Sequence, residues 1–522
     1  MKLIIGREHI ITPKLGNTKF RWFFMNSFWI ENFKTTMYPT LDKDLNVDIC
    51  IIGGGITGIS CGYSLTKNNL KVCILEKDKI MGKTSGHTTA KITSQHGLIY
   101  KYLYDSYGED SAKKYLDSNE EAITNIKNII DTENIDCDFE FQNHYIYTTN
   151  SNKIKKIKDE IKILKKLNYE ARFFDKINLP ISDVKGAIEF HHQAQFNPIK
   201  YTEGLCEYII NNNGLIFENS KVINLKKVGN KYNIYANGKI VTAKYVIIAT
   251  RYPIINFPGF HFIKMYSEAS YLIAIDTNSS LFKGMYINAD SPTYSFRTTE
   301  YNGKTLLLIG GFNHKRGAKI DLSNSYNYLE QKAKELYPDS TVLYKWNTHD
   351  CVSLDKIPYI GEFSNFYPNV YMASGFKKWG MTTSNVAANI ITDKILGKEN
   401  KYENIYTPLR LNPIKNRKEF TNILKETSHS LIFNKLNLPE ATQKDIEPGE
   451  GKIINDNGIK IGVYKDEKGK EYKIVPKCMH LGCELSWNAL DKTWDCPCHG
   501  SRYTYEGKLI YGPSKKDLKV IK

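Results

Sequence analysis

Apolar residues along this chain follow two rhythms, and the places where one gives way to the other mark its elements. From Val47 to Asp78, "VDICIIGGGITGISCGYSLTKNNLKVCILEKD", an apolar run over residues 49–52 enters a glycine turn. An amphipathic stretch of helical period follows, and a second apolar run over residues 71–75 ends in Glu76. That order predicts strand, turn, helix and strand. In "NKIKKIKDEIKILKKLNYE", from Asn152, the residues Ile154, Ile157, Ile161, Leu164 and Leu167 recur at helical spacing and predict a helix with a solvated lysine face. "TYSFRTTEYNGKTLLLIGG", from Thr293, reads as two strands around Asn302-Gly303, a hairpin signal.

Past residue 440 the pattern turns to short alternating strands, with Asn457-Gly458 and Lys468-Gly469 at the corners. A separate antiparallel β domain over 440–522 is expected. Between 413 and 439, "RKEFTNILKETSHSLIFNKL" is bracketed by Pro413 and Pro439 and reads as a helical linker. Residues 1–24 carry no usable motif, and residues 1–46 are read as an N-terminal arm.

Composition narrows the class. A chain of 522 residues implies about three domains, and 41% hydrophobic with 12% aromatic residues implies that they fold. The net charge of +16 is spread along the chain, as on a lysine-rich solvated surface, so no nucleic-acid partner is expected. No run approaches the roughly 20 apolar residues of a membrane span, and no leader pattern opens the chain. No transmembrane anchor and a cytoplasmic location are therefore expected.

The glycine turn carries the first chemistry. Gly53 permits the tight turn, Gly55 lets a pyrophosphate approach the N-terminus of the helix that begins at Ile56 and Thr57, and Gly58 lets helix and strand pack closely. Glu76, followed by Lys77, is placed to accept hydrogen bonds from ribose hydroxyls. These features predict a dinucleotide site, for FAD or NAD.

Over roughly Val47 to Arg410 the sequence resembles the glycine/D-amino-acid oxidase family of flavoproteins. "KIMGKTSGHTTAKITSQHG" is similar to the family's loop from ribose to flavin, which implies cofactor contacts for Thr84, Ser85 and Thr88 and places His87 as a loop histidine near the cofactor. "KYVIIATRYP" is similar to its second strand and turn, with Arg251 where a glycine is common. "NVYMASGFKKWGMTTSNVAANIITDKILG" resembles its last flavin motif, through Gly375 and Gly380 into a helix beginning near Met381 and Thr382. A helix start there aims free N–H groups at the flavin edge that becomes anionic on reduction.

The resemblance implies FAD and a discontinuous flavin domain of about 47–95, 185–255 and 345–410. Residues 96–184 and 256–344 would form the substrate domain, and Arg297 would reach a substrate carboxylate.

The densest chemistry is "CMHLGCELSWNALDKTWDCPCHGS", from Cys478. Cys478-x-His480 and Cys496-x-x-His499 each offer one thiolate and one imidazole, a set that a tetrahedral zinc would accept. Zinc leaves Cys483 and Cys498 unexplained. The stretch resembles the Rieske proteins of cytochrome bc-type complexes in "CMHLGC" and "CPCHGS". By that resemblance Cys478 and Cys496 bind one iron of a [2Fe–2S] cluster, His480 and His499 bind the other, and Cys483 and Cys498 form a disulfide. Ser501 and Tyr503 fall where relatives donate hydrogen bonds to cluster or ligand sulfur.

The expected fold is thus an α/β FAD-binding Rossmann-like domain with an antiparallel-sheet substrate domain, plus a C-terminal all-β Rieske domain. The expected function is an FAD-dependent dehydrogenase of a small amine or amino acid. It would pass single electrons through the cluster to an external acceptor, a redox protein or a quinone. Two alternatives stay open: a flavin oxidase using O2 with a structural or regulatory cluster, and a non-enzymatic electron-transfer module.

Overall fold

The apolar strands around the glycine turn are buried on both faces, which is the setting of a parallel sheet covered by helices. In the computed structural model, Leu45–Ile52 lies between Val72–Leu75 and Lys239–Ile248, parallel to both. The order runs Tyr359–Glu362, Val370–Ser374, Lys239–Ile248, Leu45–Ile52, Val72–Leu75, Leu215–Phe217, and the pair Val222–Val228 and Lys231–Ala236 adds two antiparallel strands. Helices Ile56–Lys67 and Gly380–Ile395 pack against each other beside this sheet. The structure describes residues 27–410 and 439–521, apart from residues 34, 256, 257, 260, 319–321, 323 and 440. The helix expected in the 413–439 linker lies outside the described residues.

A second, nine-stranded sheet stands beside the first. Its order is Thr341–Ser353, Met265–Asp276, Lys304–Lys315, Tyr294–Tyr301, Met285–Asn288, Glu140–Thr148, Gly186–Gln195, Lys91–Ile92, with Arg172–Phe174 paired to Gly186–Gln195. The expected hairpin forms: Asn302 and Gly303 have φ of 51° and 75°, the positive values that a tight hairpin turn requires. Two expectations change. The sheet is not wholly antiparallel, because Met285–Asn288 runs parallel to Glu140–Thr148. The segments 185–255 and 345–410 are not purely flavin-side either: Gly186–Gln195 and most of Thr341–Ser353 are strands of this second sheet. The chain crosses between sheets inside both segments, where sequence pattern alone marks no break.

The arm before residue 47 is partly structural. Helix Phe28–Asn32 buries Phe28 and Trp29 completely, and Trp29 Nε1 donates to the Thr88 carbonyl at 2.7 Å. The predicted amphipathic helix forms at Ile154–Lys166 with Ile157, Ile161 and Leu164 buried. The C-terminal domain is two four-stranded sheets. One comprises Gly451–Asp456, Ile459–Lys465, Glu471–Ile474 and Val520–Ile521; the other Ser486–Asn488, Thr493–Asp495, Arg502–Thr504 and Leu509–Tyr511. Trp494 and Tyr503 are fully buried between them. Among the described residues no helix is long and apolar enough to cross a membrane.

Candidate active site and metal centre

The glycine turn is built to admit a ligand and nothing bulkier than hydrogen at its own backbone. Gly53 has φ of 114°, and a Cβ there would stand 2.7 Å from the Ala249 carbonyl oxygen. A Cβ on Gly58 would stand 1.9 Å from the Gly53 carbonyl oxygen, so the helix could not approach the strand. Glu76 is buried at the end of its strand, its carboxylate accepting from the backbone N–H of Gly54 at 2.8 Å and of Asp78 at 2.9 Å. Burial raises this carboxyl above its usual value against those two donors. Ser85 Oγ accepts from Ile56 N at 3.1 Å and ties the following loop to the helix start.

Two cavities meet at this turn. One, of about 470 Å³, is lined by Gly53, Gly55, Glu76, Lys77, Thr84 and Ser85 and runs toward Val222. The other, of about 220 Å³, also starts at Gly55, Thr84 and Ser85, passes Ile56, Thr57 and Thr88, and ends at Gly375, Gly380 and Met381. A long dinucleotide needs such a paired space, with Glu76 on its ribose side and the start of helix Gly380–Ile395 at its far end. The residues fit FAD.

In the C-terminal domain, Cys478 and Cys496 are both buried, and the rings of His480 and His499 stand 5.2 Å apart. The neighbouring Cys496 thiol, with the Tyr503 hydroxyl, pulls the Cys478 thiol below its ordinary value despite burial, while the same pairing and burial push Cys496 up, so the pair favours one thiolate. Two thiols and two imidazoles facing one another are the donor set of a Rieske cluster, so these residues fit [2Fe–2S]. Cys483 and Cys498 are joined by a disulfide. Cys496 Sγ lies within 4.8 Å of both their sulfurs, but two sulfurs bonded to each other do not add a ligand set. Tyr503 Oη is 3.5 Å from Cys478 Sγ and accepts from Met479 N at 3.2 Å, while Ser501 Oγ accepts from Ser514 N at 3.0 Å.

Comparison with known proteins agrees with both halves. The model of the family described as FAD dependent oxidoreductase matches residues 48–394, and that of the Rieske [2Fe-2S] domain matches residues 437–522. The chain belongs to the FAD dependent oxidoreductase family. Its domain binds FAD, and the appended Rieske domain binds a [2Fe–2S] cluster.

The oxidoreductase is 37% identical over 495 residues to YhfW of Bacillus subtilis, whose name describes a Rieske 2Fe-2S iron-sulfur protein; 95% of this chain and 97% of that one are covered. It is 22% identical to gamma-glutamylputrescine oxidoreductase of Escherichia coli over 71% of this chain and 88% of that one. Glycine oxidase from Geobacillus kaustophilus shares its fold, with a TM-score of 0.60 at 15% identity over 70% of this chain and 99% of that one.

Two side chains of the oxidoreductase stand elsewhere than expected. Arg297 is enclosed, and its guanidinium donates to the carbonyls of Thr298, Thr89, Ala90 and Phe196 at 3.0, 2.9, 3.0 and 3.2 Å, with its carbon 5.5 Å from the Trp29 ring centre. Four backbone acceptors claim it, and it does not line the flavin cavity, so it holds the loop after Thr88 rather than a substrate carboxylate. Thr382 turns its hydroxyl to the Thr93 carbonyl at 3.2 Å, leaving Gly380 and Met381 to face the cavity. His87 stays a loop histidine beside this site: Nδ1 pairs with the Lys83 carbonyl at 2.8 Å, and the ring lines, with Thr84, a cavity of about 160 Å³ toward the Rieske domain.

The flavin cavity also holds groups that sequence pattern did not single out. Lys91 is buried, donating to the Tyr286 carbonyl at 2.7 Å and to Ser295 Oγ at 2.8 Å; burial, with Arg297 nearby, pushes it well below the ordinary lysine value. Asp350 lines the same cavity, and burial raises its carboxyl to about 6 against the pull of Lys378. Both sit on strands of the second sheet, where a single charged residue in an alternating pattern carries no signal of its own.

The Rieske domain docks on the oxidoreductase through a buried polar network. Arg316 donates to Asp495 at 3.0 Å, and Arg502 Nη1 donates to His349 Nε2 at 2.7 Å. His349 Nε2 also accepts from Arg316 at 2.9 Å, which requires a neutral ring because arginine has nothing to accept with. Burial, then Arg316 and Arg502, keep it so, well below the ordinary histidine value. Backbone comes close as well: a Cβ on Gly317 would meet Pro497 at 2.5 Å, and one on Gly500 would meet Ser267 at 2.4 Å. The segment from Cys496 to Gly500 therefore lies directly against the second sheet and the turn that follows Lys315.

Proposed function

We propose that the protein is a dehydrogenase that oxidises a small amine or amino acid by hydride transfer to FAD. The reducing equivalents then pass singly through the Rieske cluster to an external acceptor, a redox protein or a quinone. The observation that carries this reading is the docking of the cluster-ligand segment, Cys496–Gly500, on the oxidoreductase: Pro497 lies against Gly317 and Gly500 against Ser267 of the second sheet. A cluster set there gives reduced flavin an outlet for single electrons other than O2.

The residues have distinct parts in this reading. Gly53, Gly55, Gly58, Glu76 and the loop through Thr84, Ser85 and Thr88 hold the cofactor, and the helix start at Gly380 and Met381 favours its reduced, anionic form. The apolar Leu272, Ile287 and Phe376 line the cavity beside Lys91 and Asp350 and suit a small substrate with one polar end.

Anaerobic titration with amines and amino acids, following flavin absorbance and the cluster EPR signal together, tests the reading. Bleaching of the flavin followed by appearance of the reduced-cluster signal is expected. Flavin bleaching with a silent cluster and rapid reoxidation by O2 would instead identify an oxidase.

A further inference from the structure

The cavity of about 470 Å³ beside Glu76 belongs to both domains. Its near side is the glycine turn, Glu76 and the strand around Val222; its far wall is the segment 509–515 of the Rieske domain. One phenol from that wall gathers three cations of the flavin domain. Arg251 Cζ lies 4.4 Å from the Tyr511 ring centre, Lys77 Nζ 5.6 Å and Lys83 Nζ 5.8 Å. The electron-rich face of an aromatic ring attracts such charges. Lys77 Nζ also donates to the Ile510 carbonyl at 2.8 Å, so the residue after Glu76 is tied to the Rieske strand.

Arg251 stands at the junction, lining both cavities. The charged residues lining the larger one are Lys77, Lys79, Lys83, Lys221, Arg251, Lys515 and Glu76; Lys77 and Lys83 pair with Asp78 and Lys79 with Glu218, so the cations outside those pairs are Lys221, Arg251 and Lys515. That balance suits a dianionic diphosphate. The same segment covers the cluster side: Ser514 N donates to Ser501 Oγ at 3.0 Å, and Cys496 N donates to the Ser501 carbonyl at 2.7 Å.

We propose that segment 509–515 of the Rieske domain is part of the FAD-binding site. It closes over the adenosine diphosphate half of the cofactor, with Tyr511 steadying Arg251 toward the diphosphate and Lys515 adding a cation. One segment then serves both cofactors, and by reciprocity whatever FAD gains from the docked Rieske domain, the docked domain gains from FAD. The inference rests on the two cofactors and not on the identity of the substrate, so it stands or falls separately from the dehydrogenase reading.

The test uses the full-length holoprotein and the variants Tyr511→Ala, Tyr511→Phe and Lys515→Ala. The FAD dissociation constant is read from the fluorescence of released FAD, beside the visible and EPR signals of the cluster. Tyr511→Ala is expected to weaken FAD binding about tenfold and Lys515→Ala several-fold, with the cluster signal intact, while Tyr511→Phe keeps wild-type affinity. Affinities within about twofold of wild type in both alanine variants overturn the proposal. Should Tyr511→Ala lose its cluster, the exposed Lys515 decides: unchanged affinity in Lys515→Ala overturns the proposal by itself.

Discussion

Arg316 of the flavin-side structure and Asp495 of the Rieske domain form an ion pair at 3.0 Å, with 2% and 3% of their side chains exposed. A charge so enclosed is costly to leave alone. Arg316→Ala leaves Asp495 and neighbouring Asp491 to Arg502 alone, and is expected to lower stability by about 2 kcal/mol. Urea unfolding followed by cluster absorbance measures this. The same variant should slow reduction of the cluster by reduced flavin, read by stopped flow.

Asp491 gives this interface a pH limit. Burial raises its carboxyl, but Arg502 and Arg316 outweigh burial and hold it below the ordinary value. A carboxyl depressed in the folded state contributes stability above its unfolded value, about 4, and loses it as pH falls through the folded value. The thermal midpoint should therefore fall below pH of about 4 more steeply in the wild type than in Asp491→Asn.

Gly58→Ala places a methyl group 1.9 Å from a backbone oxygen. Helix Ile56–Lys67 must shift away from its strand, which displaces the turn that meets the diphosphate. The purified variant is expected to carry little or no flavin by its visible absorbance, while the cluster EPR signal is retained.

Arg297→Ala separates a structural from a substrate-binding arginine. Removing a buried guanidinium that serves four carbonyls should cost about 3 kcal/mol or more, read as a lower urea midpoint. Lysine, a point charge that cannot fork among four acceptors, should restore little of it. A change confined to substrate KM, with stability intact, would return Arg297 to the substrate.

Asp350 should make the flavin environment respond to pH. Its carboxyl, raised to about 6 by burial, is neutral below that value and charged above it, facing Lys378, Glu268 and Arg251. A raised folded value means that the fold loses stability as pH climbs from about 4 to about 6. The flavin absorbance should shift with a midpoint of about 6, and Asp350→Asn should abolish the shift.

The parts of this protein that were legible in its sequence are those whose physical requirement is local. Gly53 and Gly58 meet a backbone constraint within six residues, Asn302 and Gly303 carry the positive φ of a hairpin corner, and Cys478, His480, Cys496 and His499 lie in two short loops. Such patterns specify elements, a cofactor turn and a ligand set before any long-range contact forms.

What only the tertiary structure decided is which distant groups meet. Strand alternation could not say that Arg297 would find the carbonyls of Thr89 and Phe196, or that Lys91 would find Ser295, 204 residues away. Nor could it place the Rieske domain, because Arg316 and Asp495 are 179 residues apart and no local pattern pairs them. The physical reason is that burial, and with it the strength of every charge interaction, depends on what packs over a residue. In this protein that is often chain from another sheet or another domain.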